Sequence, residues 1–388
     1  MTVILEKRNL PIVSVSFAVR YGGVNESSKE RGIAHFIEHM LYKGTKKRTY
    51  KQISKLIEKN GGVLDGFTDE SLTAFWCKIP STKLSVALNV LGDMVQNPKM
   101  DPKELNKERQ VIFEEMKIYH DSPSHYVFDG IQECLYSKPL GEPLIGTPTT
   151  MNGLNRKDLM KKFIKVYKPN NMILCVVGDA DFEEILKFAE KNFKGKTKKP
   201  KKQKIILKNG QKIETRKGID QANMVFAFHS PLSKDPKIYA AKILITLMAD
   251  GLSSRLFTEI REKRNMAYSV QGGMSTSKDF SYSYIYVGAM KKNIEKIKKL
   301  ILEEFRKVST NLTEKELKET KQQLIGNYDI SLENSVNHNH NLLMAEVDGN
   351  AKTYYDFEKK IRAVKLKDVK NLAKIPLKKY SFFALAPE

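Results

Sequence analysis

The feature that most restricts how this chain can fold is a repeat of its own pattern of strands and helices. In each half an apolar strand is followed by two helices, another strand and further helices. Residues 15–19 (VSFAV) match 224–228 (MVFAF), and 34–39 (AHFIEH) match 241–246 (AKILIT). A length of 388 residues suits two domains. We therefore predict an α+β protein of two homologous domains, each a mostly antiparallel sheet packed by helices.

A run of lysines separates the two repeats. Residues 194–204 read KGKTKKPKKQK and contain no aromatic side chain on which a base could stack. The formal net charge of +22 comes mostly from lysines, which outside this run are spread through predicted helices. We interpret the run as a solvated linker and expect no nucleic-acid partner. The predicted divisions are an N-terminal domain at 1–193, the linker at 194–212 and a C-terminal domain at 213–388.

Two classes of location are disfavoured by the distribution of apolar residues. No apolar run approaches the ~20 residues of a membrane-spanning helix, and the first residues are charged where a signal peptide is apolar. We expect no membrane span and a cytoplasmic location. The three cysteines are far apart and show no CxxC spacing, which predicts buried structural thiols: Cys77, Cys134 and Cys175.

The helix predicted over 32–42 carries an HxxEH pattern. At about 100° per residue, His35 and His39 project about 40° apart, with Glu38 about 60° to the other side of His35. Two imidazoles at positions i and i+4 can bind one zinc ion, and the glutamate beside it can accept a proton from water. The matching positions of the second repeat are Lys242, Ile245 and Thr246, which cannot bind zinc. Only the first repeat is expected to carry the chemistry.

A third metal ligand is predicted from the helix that opens at Asp101. Glu108 and Glu115 are seven residues apart and flank its apolar stripe, whereas Glu114 points to solvent. The stripe consists of Leu105, Ile112, Met116 and Tyr119. This phase selects Glu115 as the ligand and places Glu108 two turns earlier. The alternative for Glu108 is a surface carboxylate paired with a neighbouring cation.

These motifs together resemble the pitrilysin/insulinase family of zinc peptidases, the inverzincins. The chain is most similar to the short members, such as mitochondrial processing peptidase and its bacterial homologues, and the resemblance covers essentially the whole sequence. It implies one Zn²⁺ per chain, bound by His35, His39 and Glu115. It also implies that Glu38 is the general base and that Glu108 is a carboxylate supporting the ligands.

The resemblance also implies residues that bind substrate. Arg261 and Tyr268 in REKRNMAY match the Arg/Tyr pair that holds the peptide and stabilises its reacting carbonyl; the alternative is a surface Arg and a core Tyr. The segment 62–68 (GVLDGFT) resembles the substrate-binding edge strand, which adds Asp65, Gly66, Phe67 and Thr68. The usual residues at the first two of these positions are Asn and Ala, so side-chain contacts differ here while main-chain pairing does not.

The implied activity is that of a zinc-dependent endopeptidase. Its substrates would be peptides or unfolded segments bound as an added β-strand inside a dimeric chamber. The alternative is a non-catalytic peptide-binding or assembly subunit of the same fold. A chain of this length holds only half of the two-part shell of the long family members, so the resemblance implies a dimer that encloses a chamber. A homodimer suffices because both the zinc motif and the Arg/Tyr pair are present. A heterodimer with a related subunit is the alternative.

Two further histidines raise the question of a second metal site. His338 and His340 occur in VNHNHN without a nearby carboxylate or cysteine. We therefore predict a polar loop or a helix cap there.

Overall fold

The computed structural model describes all residues from Met1 to Glu388, and its strands form two five-stranded sheets. The strands are β1 Thr2–Lys7, β2 Ile12–Val19, β3 Val63–Thr68, β4 Thr73–Pro80, β5 Met172–Gly178, β6 Gln211–Arg216, β7 Ala222–His229, β8 Ala267–Thr276, β9 Ser281–Ala289 and β10 Ser381–Pro387.

The two sheets have the same topology. Their strand orders are β1-β5-β2-β4-β3 and β6-β10-β7-β9-β8. In each sheet one outer pair is parallel, β1 with β5 and β6 with β10, and the other neighbours are antiparallel. The orders correspond strand for strand, which confirms the duplicated α+β fold with mostly antiparallel sheets.

Helices pack around both sheets. They are α1 Ile33–Leu41, α2 Tyr50–Glu58, α3 Leu84–Gln96, α4 Pro102–Asp121, α5 Pro123–Leu135, α6 Pro148–Gly153, α7 Arg156–Val166, α8 Phe182–Asn192, α9 Ile238–Ala249, α10 Ile294–Asn311, α11 Glu314–Ser331, α12 Ser335–Asp348, α13 Phe357–Ala363 and α14 Leu366–Ala373, with a π-helical turn at Phe257–Glu262. None of the helices has the length and apolar character needed to cross a bilayer.

Each of the two compact units contains a segment from the other half of the sequence. The first unit comprises Met1–Met116, Pro143–Lys204 and Ser331–Tyr354, and the second comprises Lys117–Glu142, Ile205–Ile330 and Tyr355–Glu388. Helix α12 therefore packs on the first sheet, against β2 and β5, and α5 packs on the second, against β7 and β10. The sequence-based divisions at 1–193, 194–212 and 213–388 treat each half as continuous and do not contain this exchange.

Strand β2 shows why the first sheet needs a helix on each face. Its valines and Phe17 pack into the core that contains α1 and α3, whereas Ser14, Ser16 and Ala18 face α12. The buried Asn339 of α12 accepts a hydrogen bond from Ser16 Oγ at 2.6 Å. Its Nδ2 donates to the carbonyls of Ser14 and Cys175, each at 3.0 Å. These bonds satisfy polar groups that would otherwise be buried without partners.

Two of the sequence-based interpretations are wrong. His338 and His340 lie inside α12, where Asn334 is the N-cap and accepts from the main-chain N–H groups of Val336 and Asn337. Alternating asparagines make this helix look like a loop in the sequence. Tyr119 is 40% exposed, so the apolar stripe of α4 ends before it.

The lysine run is irregular and belongs to the first compact unit. Residues 194–204 contain neither helix nor strand. Thr197 is held to the first unit by Asn170, whose side chain accepts from the Thr197 N–H at 2.8 Å and donates to its carbonyl at 2.7 Å. The two units divide the predicted linker at 194–212 after Lys204, and its last residues lie in β6, which begins at Gln211. All three cysteines are buried and free, which confirms the predicted burial.

Candidate metal centre

Helix α1 is held at its N-terminus by a buried carboxylate. Gly32 precedes the helix with φ of +93°, in the left-handed region that favours glycine. Glu26 accepts from the main-chain N–H groups of Gly32 at 3.0 Å and Ala34 at 2.8 Å, which satisfies two donors that the helix itself leaves free. Arg31 is also buried and forms an ion pair with Glu26. The apolar side of α1 then packs into the core through Ile33, Phe36, Ile37 and Met40.

His35, His39 and Glu115 converge on one point in the first unit. One ligand atom from each residue lies within 4.8 Å of the others. Glu115 Oε2 is 3.6 Å from His35 Nε2 and 3.4 Å from His39 Nε2. The three side chains are 13%, 19% and 28% exposed, so the cluster remains accessible to water. The same structure shows no other such group of His, Cys, Asp and Glu ligands.

The position of Glu115 follows from the phase of α4. Leu105 and Ile112 are buried in the core, and Glu115 lies at the edge of that buried side. Glu114 is exposed, as its position in the sequence predicted. The side chain that reaches both histidines is therefore the one selected by helical periodicity.

Glu108 contacts the ring nitrogen of His39 that does not face Glu115. Its Oε2 lies 3.2 Å from His39 Nδ1, and its Oε1 accepts from Lys43 Nζ at 2.8 Å. The carboxylate is buried. A carboxylate on the second ring nitrogen fixes the orientation of an imidazole whose other nitrogen binds a metal. This contact fits the supporting role and disfavours a surface pair with Lys107, which instead bonds Glu104.

The two histidines of the cluster have different pKa values. Burial, and then the proximity of His39, lowers the pKa of His35 to about 4. Burial also acts to lower the pKa of His39, but hydrogen bonds with Glu108 and Glu115 outweigh it and raise that pKa to about 9. The Glu115 carboxyl has a lowered pKa because its contacts with the histidines outweigh its burial. Zinc binding would therefore have to displace a proton from His39 at neutral pH.

Glu38 lies between the histidine cluster and strand β3. The carboxylate is buried, and its Oε2 accepts a hydrogen bond from Thr68 Oγ1 at 2.7 Å. Burial raises the pKa of Glu38, and the Thr68 hydrogen bond opposes that effect. The contact between Thr68 and Glu38 was not found from the sequence, because it joins a strand to a helix thirty residues away.

Strand β3 carries the residues predicted to bind substrate. Asp65, Gly66, Phe67 and Thr68 all lie in it, and β3 is at the edge of the first sheet with β4 as its single neighbour. Asp65 is exposed, and its Oδ1 accepts from the Gly66 N–H at 2.8 Å. The open edge has the geometry that an added peptide strand needs.

Arg261 and Tyr268 lie in the second unit and are both exposed. Arg261 is in the π-helical turn, with its guanidinium 4.8 Å from the ring centre of Phe257. Tyr268 is 56% exposed and falls at a register irregularity of β8 between Ala267 and Ser269. Such bulges redirect a side chain out of the regular ladder. Tyr268 is thus not a core tyrosine.

The donor set of the first unit fits a divalent transition metal. Two imidazole nitrogens and one carboxylate oxygen are a common set for catalytic zinc, which leaves one position open. In the second unit Ile245 and Thr246 of α9 are buried, and burial lowers the pKa of the Lys242 ammonium. None of these three side chains resembles a zinc ligand at neutral pH. The duplicated fold therefore has one candidate metal centre.

Two family models of known proteins match successive parts of the chain. Residues 2–148 match the model of the insulinase family, peptidase family M16, and residues 153–324 match that of the peptidase M16 inactive domain. An uncharacterized zinc protease of Rickettsia felis is 30% identical over 325 residues, which are 82% of this chain and 79% of that protein. The uncharacterized zinc protease YmxG of Bacillus subtilis is 29% identical over 374 residues, 93% of this chain and 90% of that protein.

A solved structure shares the complete fold. The crystal structure of a protease from Helicobacter pylori superposes with a TM-score of 0.90 and covers 99% of this chain and 97% of its own, at 22% sequence identity. The family models, the relatives and the duplicated topology lead to the same conclusion: the chain belongs to the insulinase family, peptidase family M16.

Proposed function

We propose that this protein is a zinc-dependent endopeptidase. The observation that carries the proposal is the convergence of His35, His39 and Glu115 beside a buried glutamate and an open strand edge. Relatives are named zinc proteases, which supports both the metal and the reaction class. The substrates would be peptides or unfolded segments, because a folded chain rarely offers a free extended strand.

The first unit supplies the groups for peptide hydrolysis. His35, His39 and Glu115 would hold the zinc ion, and Glu108 would keep His39 in its ligating orientation. When bound, zinc supplies Lewis acidity, which polarises the scissile carbonyl and makes the attacking water more acidic. Glu38 takes a proton from that water and later delivers it to the departing amine. Strand β3 holds the peptide extended through its main chain.

We propose that Arg261 and Tyr268 stabilise the negative charge that develops on the carbonyl oxygen. A guanidinium and a phenol are both suitable donors for that oxygen. Both side chains are exposed, which keeps them available to substrate. The alternative function is a non-catalytic peptide-binding or assembly subunit, for which the strand edge alone would suffice.

We also propose that the protein works as a homodimer in which the pair from one copy serves the metal centre of the other. A mixture of Glu38→Gln and Tyr268→Phe chains should then regain activity after subunit exchange. The gain should reach at most about half of the wild-type rate per mixed dimer, because one of the two sites is intact. Sedimentation should show a dimer. An active monomer would contradict this arrangement, and a required related subunit would indicate a heterodimer.

The number of protons released when zinc binds should reveal whether His39 is protonated beforehand. The pKa of His39 is about 9 without metal, so at pH near 7.5 it carries a proton that zinc must displace. His35, with a pKa of about 4, contributes none. We expect release of about one proton per zinc at that pH, falling as the pH rises past about 9. Zinc affinity should therefore rise with pH up to about 9 and level off above it.

Titration calorimetry in buffers of different ionisation enthalpy measures this release. Glu108→Gln is the matched variant, because it weakens the hydrogen bond that keeps the proton on His39. Its proton release at pH near 7.5 should be smaller than that of the wild type. Equal release by both proteins, or none by the wild type, would contradict the assignment.

The direct test of the proposed function combines metal analysis with peptide cleavage. Purified protein should contain about one zinc per chain and cleave a quenched fluorescent peptide. A chelator should remove the activity, and added Zn²⁺ should restore it. Zinc-loaded protein that binds the peptide without cleaving it would support the non-catalytic alternative.

A further inference from the structure

The hydrogen bonds of the β3–β4 hairpin determine which main-chain groups of β3 face its open edge. The Asp69 N–H donates to the Leu72 carbonyl at 2.8 Å, so this pair is hydrogen-bonded. Bonded and non-bonded pairs alternate along an antiparallel ladder. Thr68 opposite Thr73, and Gly66 opposite Phe75, are therefore non-bonded pairs. The N–H and carbonyl groups of Gly66 and Thr68 point away from β4, toward the open edge. The Gly66 N–H is bonded there to Asp65 Oδ1, so Thr68 carries the pairing argument.

The same residues have side-chain positions on the α1 side of the sheet. Thr68 reaches Glu38 directly, and a Cβ added to Gly66 would lie 3.5 Å from Glu38 Oε1. Phe67, between them, faces the opposite side, where its ring lies 4.9 Å from that of His340. Thr68 thus presents its main chain to an incoming strand and its hydroxyl to Glu38.

The Thr68 hydroxyl is the only hydrogen-bond donor to the Glu38 carboxylate in the structure. The nearby Tyr42 hydroxyl is buried without a hydrogen-bond partner. It fills the space that a side chain at Gly66 would need, because an added Cβ would lie 2.5 Å from Tyr42 Oη and 2.8 Å from the Ala74 carbonyl oxygen. Gly66 has no side chain to contact Glu38, and the Tyr42 hydroxyl makes no hydrogen bond. The Thr68 hydroxyl alone therefore orients the Glu38 carboxylate.

We propose that Thr68 is a positioning residue that couples the pairing of a peptide with β3 to the orientation of Glu38. A peptide bonded to the main chain of Thr68 holds that residue in the ladder, and its hydroxyl then holds Glu38 Oε2 for proton transfer. This inference rests on the proposed function, since it assigns Thr68 a role in the same reaction. It predicts that the hydroxyl affects turnover more than peptide binding.

Thr68→Val tests the proposal because it keeps the shape of the side chain and removes the hydroxyl. We expect kcat to fall about 10- to 100-fold, the range that corresponds to losing a hydrogen bond to a charged group. KM and zinc content should change little, because the main chain and the ligands are unaltered. Thr68→Ser, which keeps the hydroxyl, should restore most of kcat.

Thr73→Val is the matched control in the facing strand. Its hydroxyl donates to the Tyr21 carbonyl at 3.0 Å and does not contact Glu38. This variant should lower Tm and leave kcat near that of the wild type. Thermal unfolding of all three variants separates loss of fold from loss of turnover, and Thr68→Ala provides a second variant if the valine disturbs the strand.

The outcomes separate this inference from the function on which it rests. An active wild type with unchanged kcat in Thr68→Val would overturn the role of Thr68 alone. Equal impairment in Thr68→Ser and Thr68→Val would also overturn it, because packing and not the hydroxyl would then matter. A zinc-loaded wild type without peptidase activity would overturn both the proposed function and this inference.

Discussion

Replacing Glu38 by Gln is expected to leave about one zinc per chain and to lower kcat by about 100- to 10,000-fold, the range that general acid–base catalysis contributes. The amide has nearly the same shape as the carboxylate and can still accept the hydrogen bond from Thr68. It cannot take a proton from water. Metal analysis and peptide cleavage on the same preparation measure the two effects together.

The zinc content is the necessary control for this substitution. Glu38 is adjacent to His39 in sequence, so a loss of activity accompanied by a loss of zinc would indicate a disturbed helix and not a missing base. The Tm of the zinc-loaded variant should stay close to that of the wild type. Cleavage at the wild-type rate would exclude Glu38 as the base.

Replacing Glu115 by Gln is expected to lower zinc affinity by more than about 100-fold. Loss of a carboxylate that merely supports a ligand already costs about 10- to 100-fold, and Glu115 is placed to contact the ion itself. The substitution also removes the negative charge that lies 3.4 Å from His39 Nε2. Competition with a chromogenic chelator measures the affinity.

Glu114→Gln is the matched control for Glu115→Gln. The two residues are adjacent on α4 and undergo the same chemical change, but Glu114 is exposed and lies outside the ligand cluster. Its substitution should leave zinc affinity nearly unchanged. The opposite ranking would mean that α4 is rotated about its axis, and Glu108 would then lose its contact with His39 as well.

The positions of the candidate ligands could be predicted from the sequence because they depend on one helical period. His35 and His39 share a face by their spacing, and Glu115 was separated from Glu114 by the burial of Leu105 and Ile112. Both arguments stay within a single helix, where geometry is fixed by sequence separation. The structure brings the two helices together as expected.

Contacts that join distant elements could not be predicted in the same way. The hydrogen bond from Thr68 to Glu38 depends on how closely β3 approaches α1. Asn339 looked like part of a polar loop, although it is buried with three hydrogen-bond partners. A buried amide and an exposed amide are identical in a sequence, and only tertiary packing distinguishes them.

The exchange of α5 and α12 has a consequence for synthesis of the protein on the ribosome. The last strand of the first sheet ends at Gly178, but the helix that covers one face of that sheet begins at Ser335. At typical elongation rates the intervening residues take on the order of ten seconds to translate. During that interval Ala18, Ile173 and Val177 lack the leucines of α12 that cover them in the finished fold. The nascent first unit therefore offers an apolar surface that a chaperone can bind until the second half has emerged.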